Sequence, residues 1–392
     1  MDVTGTASGV DQVDFSSNDY LGLSAPNSPL QRLIKANHQS DSISSGSTGS
    51  RLLDGNHNFI NSLESKISNF HKSKSGLIFN SGYDANLGIF GCLFQPRDIV
   101  IYDELIHASV HDGLKLSKCR NQFNFRHNDL GHLIEIVESI RLDNPNYLAD
   151  DVQIFIAVEG IYSMEGDTPP LAEILDLCKL YNMHLIVDEA HSVGVCGPSG
   201  RGLCAELLGD RVEEVFLRLI TFGKALANHG AIALTDATTR EYLINYARPL
   251  IYSTCIPDAA LSSISAVYDL LELNGDQYQL ELNQRIDYFK NQVKLKLPKL
   301  SILESNSPVQ GILVSSNEEA NSLGNFLQSN GFMVRSIRFP TVPKGKERVR
   351  ICIHRNNTFE SIDSLLKAIE NWSISKELGN GELIESMVMA KL

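Results

Sequence analysis

The sequence predicts an α/β fold in two domains, a large one on a mostly parallel sheet and a smaller α+β one near the C-terminal end. Three observations carry this expectation. Short continuous apolar runs at residues 76–79, 99–102, 154–158, 185–187 and 215–220 alternate with segments of helical periodicity, as in strands buried on both faces and joined by crossover helices. Several of these runs stop abruptly in polar residues, and ligands of open α/β sheets gather at such strand ends. The length of 392 residues also exceeds what one core usually holds.

Taken in order, residues 1–12 are small and polar and read as a disordered start. Residues 15–23 (FSSNDYLGL) follow. The glycine- and serine-rich stretch 44–55 (SSGSTGSRLLDG) runs straight into a helical pattern set by Phe59, Leu63, Ile67 and Phe70, which favours an active-site loop over a plain linker. After strand 76–79 comes NSGYDAN (80–86). A strand, a turn of small residues and a helix start make an anion site, because the first helical N–H groups are unpaired. Strand 99–102 leads into Asp103, Glu104 and His107, and a lone histidine there is by itself more often structural. His111, one helical turn later, is assigned to the surface. In FRHND (125–129), Asn128 or Asp129 caps the next helix. Strand 154–158 ends in EGIYSMEGD (159–167), and Pro169-Pro170-Leu171 opens a helix whose Leu171, Ile174, Leu175 and Cys178 face the sheet.

The chemistry concentrates in residues 183–224. The apolar run 185–187 switches to Asp188, Glu189 and His191 and then to a glycine-rich turn, while the run 215–220 ends in Thr221-Phe222-Gly223-Lys224. An acid, an imidazole and a lysine therefore converge at neighbouring strand ends. A lysine forms a Schiff base with an aldehyde, and an aspartate paired with a pyridinium nitrogen keeps that ring able to accept electrons, a combination suited to pyridoxal phosphate (PLP). Taken singly, the aspartate reads equally as a helix cap and the Gly-Lys as a solvated turn. His229 is read as a turn residue. Residues 258–273 and 276–295 then give two helical patterns, and 311–314 and 332–337 read as strands. In RVRICI (348–353) alternation puts Arg348 and Arg350 on one face.

Composition narrows the function. A net charge of −13 argues against a nucleic-acid partner and requires a local basic patch for any anionic thioester. No apolar run reaches the roughly 18 residues of a membrane span. Seven cysteines without CxxC pairs argue against a disulfide framework and a zinc site.

DEAHSVGVCGPSGRG (188–202) followed by TFGKAL (221–226) resembles the α-oxoamine synthases, fold-type I PLP enzymes that condense an amino acid with an acyl-CoA and release CO2 and CoA. The resemblance runs from Ser16 to His354. It implies the aspartate aminotransferase-like fold, with a seven-stranded large-domain sheet, and domains at 1–40 (N-terminal arm), 41–250 (PLP-binding) and 251–392 (small). It also implies roles: Lys224 for the Schiff base and as general base, Asp188 for the pyridine nitrogen, His107 stacked on the ring, and His191 on the ring oxygen. Gly82 and Tyr83 amides with Thr221 would meet the phosphate, and Glu159 and Ser163 would lie near the ring. Asn18, Ser47 and Arg350 would bind substrate, Arg350 by gripping the carboxylate. Ser253 and Thr254 would reach the phosphate of a partner subunit, which implies a homodimer with shared sites. The chain departs from the family pattern at Ser192 and Val193 and again at Ala225 to Gly230. Among the branches it most resembles the fungal 8-amino-7-oxononanoate synthases of biotin biosynthesis, which join L-alanine to pimeloyl-CoA. Glycine C-acetyltransferase, 5-aminolevulinate synthase, a sphingoid-type synthase and a non-catalytic partner subunit are the alternatives. The terminal Ala390-Lys391-Leu392 follows an acidic polar stretch (376–385) that would project it, and it resembles a peroxisomal address. The expected location is thus the peroxisome, with the import receptor as partner and the cytoplasm as the alternative.

Overall fold

A computed structural model describes residues 12–37, 46–143 and 152–389; the address at 390–392 and the start at 1–11 lie outside the described residues. Its strands are β1 (Val13–Asp14), β2 (Ser75–Phe79), β3 (Ile99–Asp103), β4 (Asn121–Phe125), β5 (Ile154–Glu159), β6 (His184–Asp188), β7 (Leu217–Thr221), β8 (Ala231–Thr235), β9 (Val309–Leu313), β10 (Phe332–Met333), β11 (Arg335–Ile337) and β12 (Arg348–Cys352). They belong to two compact units. The larger takes Leu21–Ser163 and Asp167–Gln279; the smaller takes the chain up to Tyr20, Met164–Gly166, and the chain from Leu280.

The larger unit is built on a seven-stranded sheet of order β2-β8-β7-β6-β5-β3-β4. The strands run parallel except β8, which is antiparallel to both its neighbours. Its apolar runs are continuous because both faces are covered. In β5, Ile154, Ile156 and Val158 enter one core cluster while Phe155 and Ala157 enter the other, and β6 divides Leu185 and Val187 from Ile186 in the same way. The parallel strands β3, β5, β6 and β7 therefore end together at one edge, in Asp103, Glu159, Asp188 and Thr221.

In the smaller unit β11-β12-β9 form an antiparallel sheet, and β1 pairs in parallel with β10. Among the described residues, 12–20 thus belong to this unit and 21–37 to the larger one, so the expected arm of 1–40 is divided between them. The run 332–337 divides at Val334 into β10 and β11.

Two further differences from the sequence reading have steric causes. The two helical patterns after residue 257 are one helix, Asp258–Lys296, continuous through Gly275. A Cβ on Gly275 would lie 2.4 Å from the Ser199 carbonyl, and Ser199 donates its N–H to Asp276 at 2.6 Å. The glycine thus admits a neighbouring backbone and breaks nothing. The first half of this helix packs on the larger unit, with Tyr268 edge-on to Phe70 and His71 and Asp269 paired with Lys66, so the division falls at Gln279 and not at residue 250. The polar stretch 376–385 is helical within Phe359–Met389. Among the described residues no helix is long and apolar enough to cross a membrane. Asp129, not Asn128, caps the helix Leu130–Asp143 by accepting from His132 N at 2.9 Å. His111 is half-buried, its ring edge-on to Tyr102.

Candidate active site

At the carboxyl ends of β3, β5, β6 and β7 the larger unit opens a cleft of about 210 Å³. Strand ends contribute Glu159, Asp188 and Thr221; the loops behind them contribute His107, His191 and Lys224. The start of the helix Gly82–Cys92 supplies Gly82 and Tyr83. Ser81 caps this helix by accepting from Asp84 N, so the Gly82 and Tyr83 amides, which precede any intrahelical acceptor, remain available to an anion. Gly82 presents no side chain and faces Thr221: a Cβ there would be in van der Waals contact with Thr221 at 3.5 Å.

Asp188 is 8 % exposed, and both of its oxygens are held. Oδ1 accepts from Ala190 N at 3.0 Å and Oδ2 from Asn86 Nδ2 at 2.8 Å. His107 sits exposed at the rim, yet desolvation of its ring holds its pKa below the ordinary imidazole value. Asp188 opposes this shift, while the charge of Lys224 adds to it. Lys224 itself lies at φ 54°, a left-handed backbone that costs a lysine about 1–3 kcal/mol. The loop around it compensates through tight local bonds: Asn228 N to Phe222 O at 2.8 Å, Asn228 Nδ2 to Leu226 O at 2.8 Å, and Ala227 N to Lys224 O at 3.0 Å. His229 is exposed in the same turn.

The glycine-rich turn after His191 has a structural task. Glu189 is fully buried, which pushes its carboxyl pKa up, and it accepts from Ser192 Oγ at 2.8 Å. A Cβ on Gly202, at φ 97°, would stand 1.8 Å from Glu189 Oε2. Ser192, where the chain departs from the family pattern, thus gives one oxygen of a buried acid a hydrogen bond.

The smaller unit holds its own cluster. Arg350, 7 % exposed, donates through Nη2 to Asn18 Oδ1 at 3.0 Å and Tyr20 Oη at 3.4 Å, while its Nε is buried without a hydrogen-bond partner. An unsatisfied guanidinium edge fits a carboxylate. Arg348 is engaged elsewhere, with Met164 O at 2.8 Å and Glu165 at 3.1 Å. Tyr20 escaped the sequence reading, although it lies two residues from Asn18.

Four expected residues of the larger unit do not line the cleft. Ser163 is half-buried after β5, and Ser253 and Thr254 follow the short helix Arg248–Tyr252. Ser47 donates to Gly49 O within its own loop, whose Arg51 is tied to buried Glu64 at 2.6 Å. Asn86 and Ser109 line the cleft without having been expected there.

Residues 10–369 match the model of the family Aminotransferase class I and II. The chain belongs to that family. It is 44% identical over 372 residues to an 8-amino-7-oxononanoate synthase of Emericella nidulans, covering 92% of this chain and 89% of that protein. It is 35% identical over 381 residues to Aminoacyl transferase sphA of Aspergillus fumigatus, covering 92% and 80%. Among solved structures, 8-amino-7-oxononanoate synthase from Francisella tularensis superposes with TM-score 0.75 at 30% identity, over 94% of this chain and 99% of that one. Serine palmitoyltransferase from S. paucimobilis, with PLP and myriocin bound, superposes with TM-score 0.83 at 24% identity over 94% and 89%. The fold is that of the fold-type I PLP transferases, as the sequence predicts. The cleft residues fit that cofactor: a carboxylate held by neutral donors, a lysine, a rim imidazole and an anion-binding helix start.

Proposed function

We propose that this chain catalyses the decarboxylative condensation of L-alanine with pimeloyl-CoA, yielding 8-amino-7-oxononanoate, CoA and CO2. At the coarser level it is a PLP-dependent α-oxoamine synthase, an acyltransferase acting on an amino acid and an acyl-CoA. The observation that most supports the finer reading is the 44% identity, over nearly the whole chain, to the Emericella nidulans enzyme.

When bound, PLP supplies an electron sink for charge developing at the amino-acid Cα. The chain's own residues do the rest. Asp188, fixed by Asn86 and Ala190 N, keeps a proton on the ring nitrogen. Lys224 removes the Cα proton as general base. With the cofactor bound, uncharged His107 would pack on the ring face and His191 would hold the ring oxygen. Glu159 would border the ring, and the Gly82 and Tyr83 amides with Thr221 would hold the phosphate. Arg350, backed by Asn18 and Tyr20, holds the substrate carboxylate. Removing the phenol hydroxyl with Tyr20→Phe loosens that grip: steady-state kinetics should show the amino-acid KM rising about 3–10-fold with kcat little changed. A fall in kcat at constant KM would assign Tyr20 to another task.

The assay that tests the function is CoA-thiol release by the PLP-loaded protein. L-alanine with pimeloyl-CoA should release thiol, and glycine with acetyl-CoA or succinyl-CoA should not. Release only in a glycine reaction moves the chain to another branch. A sphingoid-type reading draws support from the 35% identity to sphA; release only with L-serine and palmitoyl-CoA would establish it.

The chain is further proposed to act as a homodimer, in which Ser253 and Thr254 serve the partner's cleft. The larger unit exposes Leu52, Leu53, Phe59, Tyr83 and Tyr252, apolar side chains that such an interface would cover. Light scattering that returns the mass of one chain at micromolar concentration would refute this.

A further inference from the structure

Asn86 is a polar side chain in an apolar place. It lies in the second turn of the helix Gly82–Cys92, 2 % exposed, between Ala85 and Ile89, both fully buried. A buried amide costs stability unless its donors are met. Here Nδ2 meets two acceptors, Asp188 Oδ2 at 2.8 Å and Ser109 Oγ at 3.0 Å.

The direction of every bond follows from chemistry. A carboxylate only accepts, so the amide nitrogen faces Asp188 and the oxygen cannot. Ser109 Oγ accepts from the same nitrogen, and its own hydrogen is left for His107 Nδ1, 2.7 Å away. That Nδ1 also accepts the Ser109 N–H at 3.2 Å. It therefore bears no proton, and the single proton of the neutral ring is on Nε2. Protonating His107 at Nδ1 would break both bonds. The charged and titratable groups acting on the ring are Asp188, Lys224 and His111.

We propose that Asn86 and Ser109 are positioning residues that join the two sides of the cofactor ring. They fix the Asp188 carboxylate toward the ring nitrogen, and through one directed hydrogen-bond line they lock His107 as the Nε2–H tautomer. The inference rests on the cofactor placement given above, but the line itself is a property of the protein alone.

The test uses full-length protein labelled with ¹⁵N-histidine, with Asn86→Leu and Ser109→Ala as variants. Long-range ¹H–¹⁵N spectra of the cofactor-free protein, assigned with His107→Gln, read the tautomer and pKa of His107. Fluorescence titration reads the PLP dissociation constant. The wild type should show Nε2–H. Ser109→Ala should raise the His107 pKa by about one unit, the equivalent of one hydrogen bond to the neutral form. Asn86→Leu should mix the tautomers and weaken PLP binding about tenfold. Asn86→Leu with the wild-type tautomer and unchanged affinity would reduce Asn86 to a filler of the helix. Should that variant not fold, an unchanged His107 pKa in Ser109→Ala overturns the line by itself. A wild type that binds no PLP would sink the cofactor placement, while the tautomer measurement would still decide the hydrogen-bond line.

Discussion

Lys224→Ala should lower turnover roughly a thousandfold or more, since it removes both the group that bonds the cofactor aldehyde and the general base. The fold should survive. Lys224 is half-buried at the mouth of the cleft, and its left-handed backbone is held by bonds of Ala227 and Asn228 that do not involve the side chain. Alanine at φ 54° bears much the same backbone strain as lysine. The melting temperature should therefore stay within a few degrees of wild type. The substitution also removes a cation that adds to the desolvation lowering the His107 pKa, so the ¹⁵N titration of His107 should move upward. Lys224→Arg separates the charge of the lysine from its chemistry. It keeps the positive charge near His107, but a guanidinium does not give up its proton at neutral pH, so turnover stays lost. Thiol release at the wild-type rate from purified Lys224→Ala would remove Lys224 from the chemistry.

Five strands of the large sheet, β2, β3, β5, β6 and β7, were legible because both faces are covered: a residue such as Ile186 packs on one face while Leu185 and Val187 pack on the other. The sequence reading passed over β8 and the edge strand β4, whose NQFNF is largely polar and exposed. Asp188 and Lys224 were legible because few cofactor chemistries need an acid and a lysine at adjacent strand ends. What sequence could not show is which polar residue is turned inward. Asn86 and Tyr20 look like ordinary members of a helix start and a loop until their partners arrive from Asp188, 102 residues away, and Arg350, 330 residues away. Gly275 misled for a similar reason. A glycine that breaks a helix and one that admits Ser199 are identical in sequence, and only the approaching backbone distinguishes them. Arg51 shows the same gap between composition and environment. Its glycine- and serine-rich stretch reads as an active-site loop, yet buried Glu64, which also accepts from Ile78 N and pairs with Arg240, holds its guanidinium.

His127→Ala should be the most destabilising single change near the cleft. Its Nδ1 lies 2.9 Å from Asp103 Oδ1 and its Nε2 3.0 Å from Asp167 Oδ2. Carboxylates on both nitrogens require both to donate, which makes the ring an imidazolium. Burial opposes that charge, but the hydrogen bonds to Asp103 and then Asp167 more than reverse it, and the pKa is pushed up to about 10. Asp103 is wholly buried at the end of β3, while Asp167 closes the turn that follows Glu159. The imidazolium therefore ties two loops behind the cleft, with its edge against Tyr162. Removing it leaves the Asp103 charge short of its partner, at a cost of about 3 kcal/mol once the partial exposure of Asp167 is allowed for. The pH dependence has a definite sign. The folded pKa lies above the ordinary value of 6.5, so the contribution is complete below about pH 6.5 and fades as pH rises through about 10. Thermal melts at pH 6 and pH 10 should therefore show a large gap between wild type and variant at the lower pH and a small one at the higher. His127→Gln, which keeps a neutral donor, should fall between the two at pH 6 and show little pH dependence of its own. If the gap between wild type and His127→Ala were the same at both pH values, the ring's charge would have no part in holding these loops, and its packing on Tyr162 would be its whole contribution.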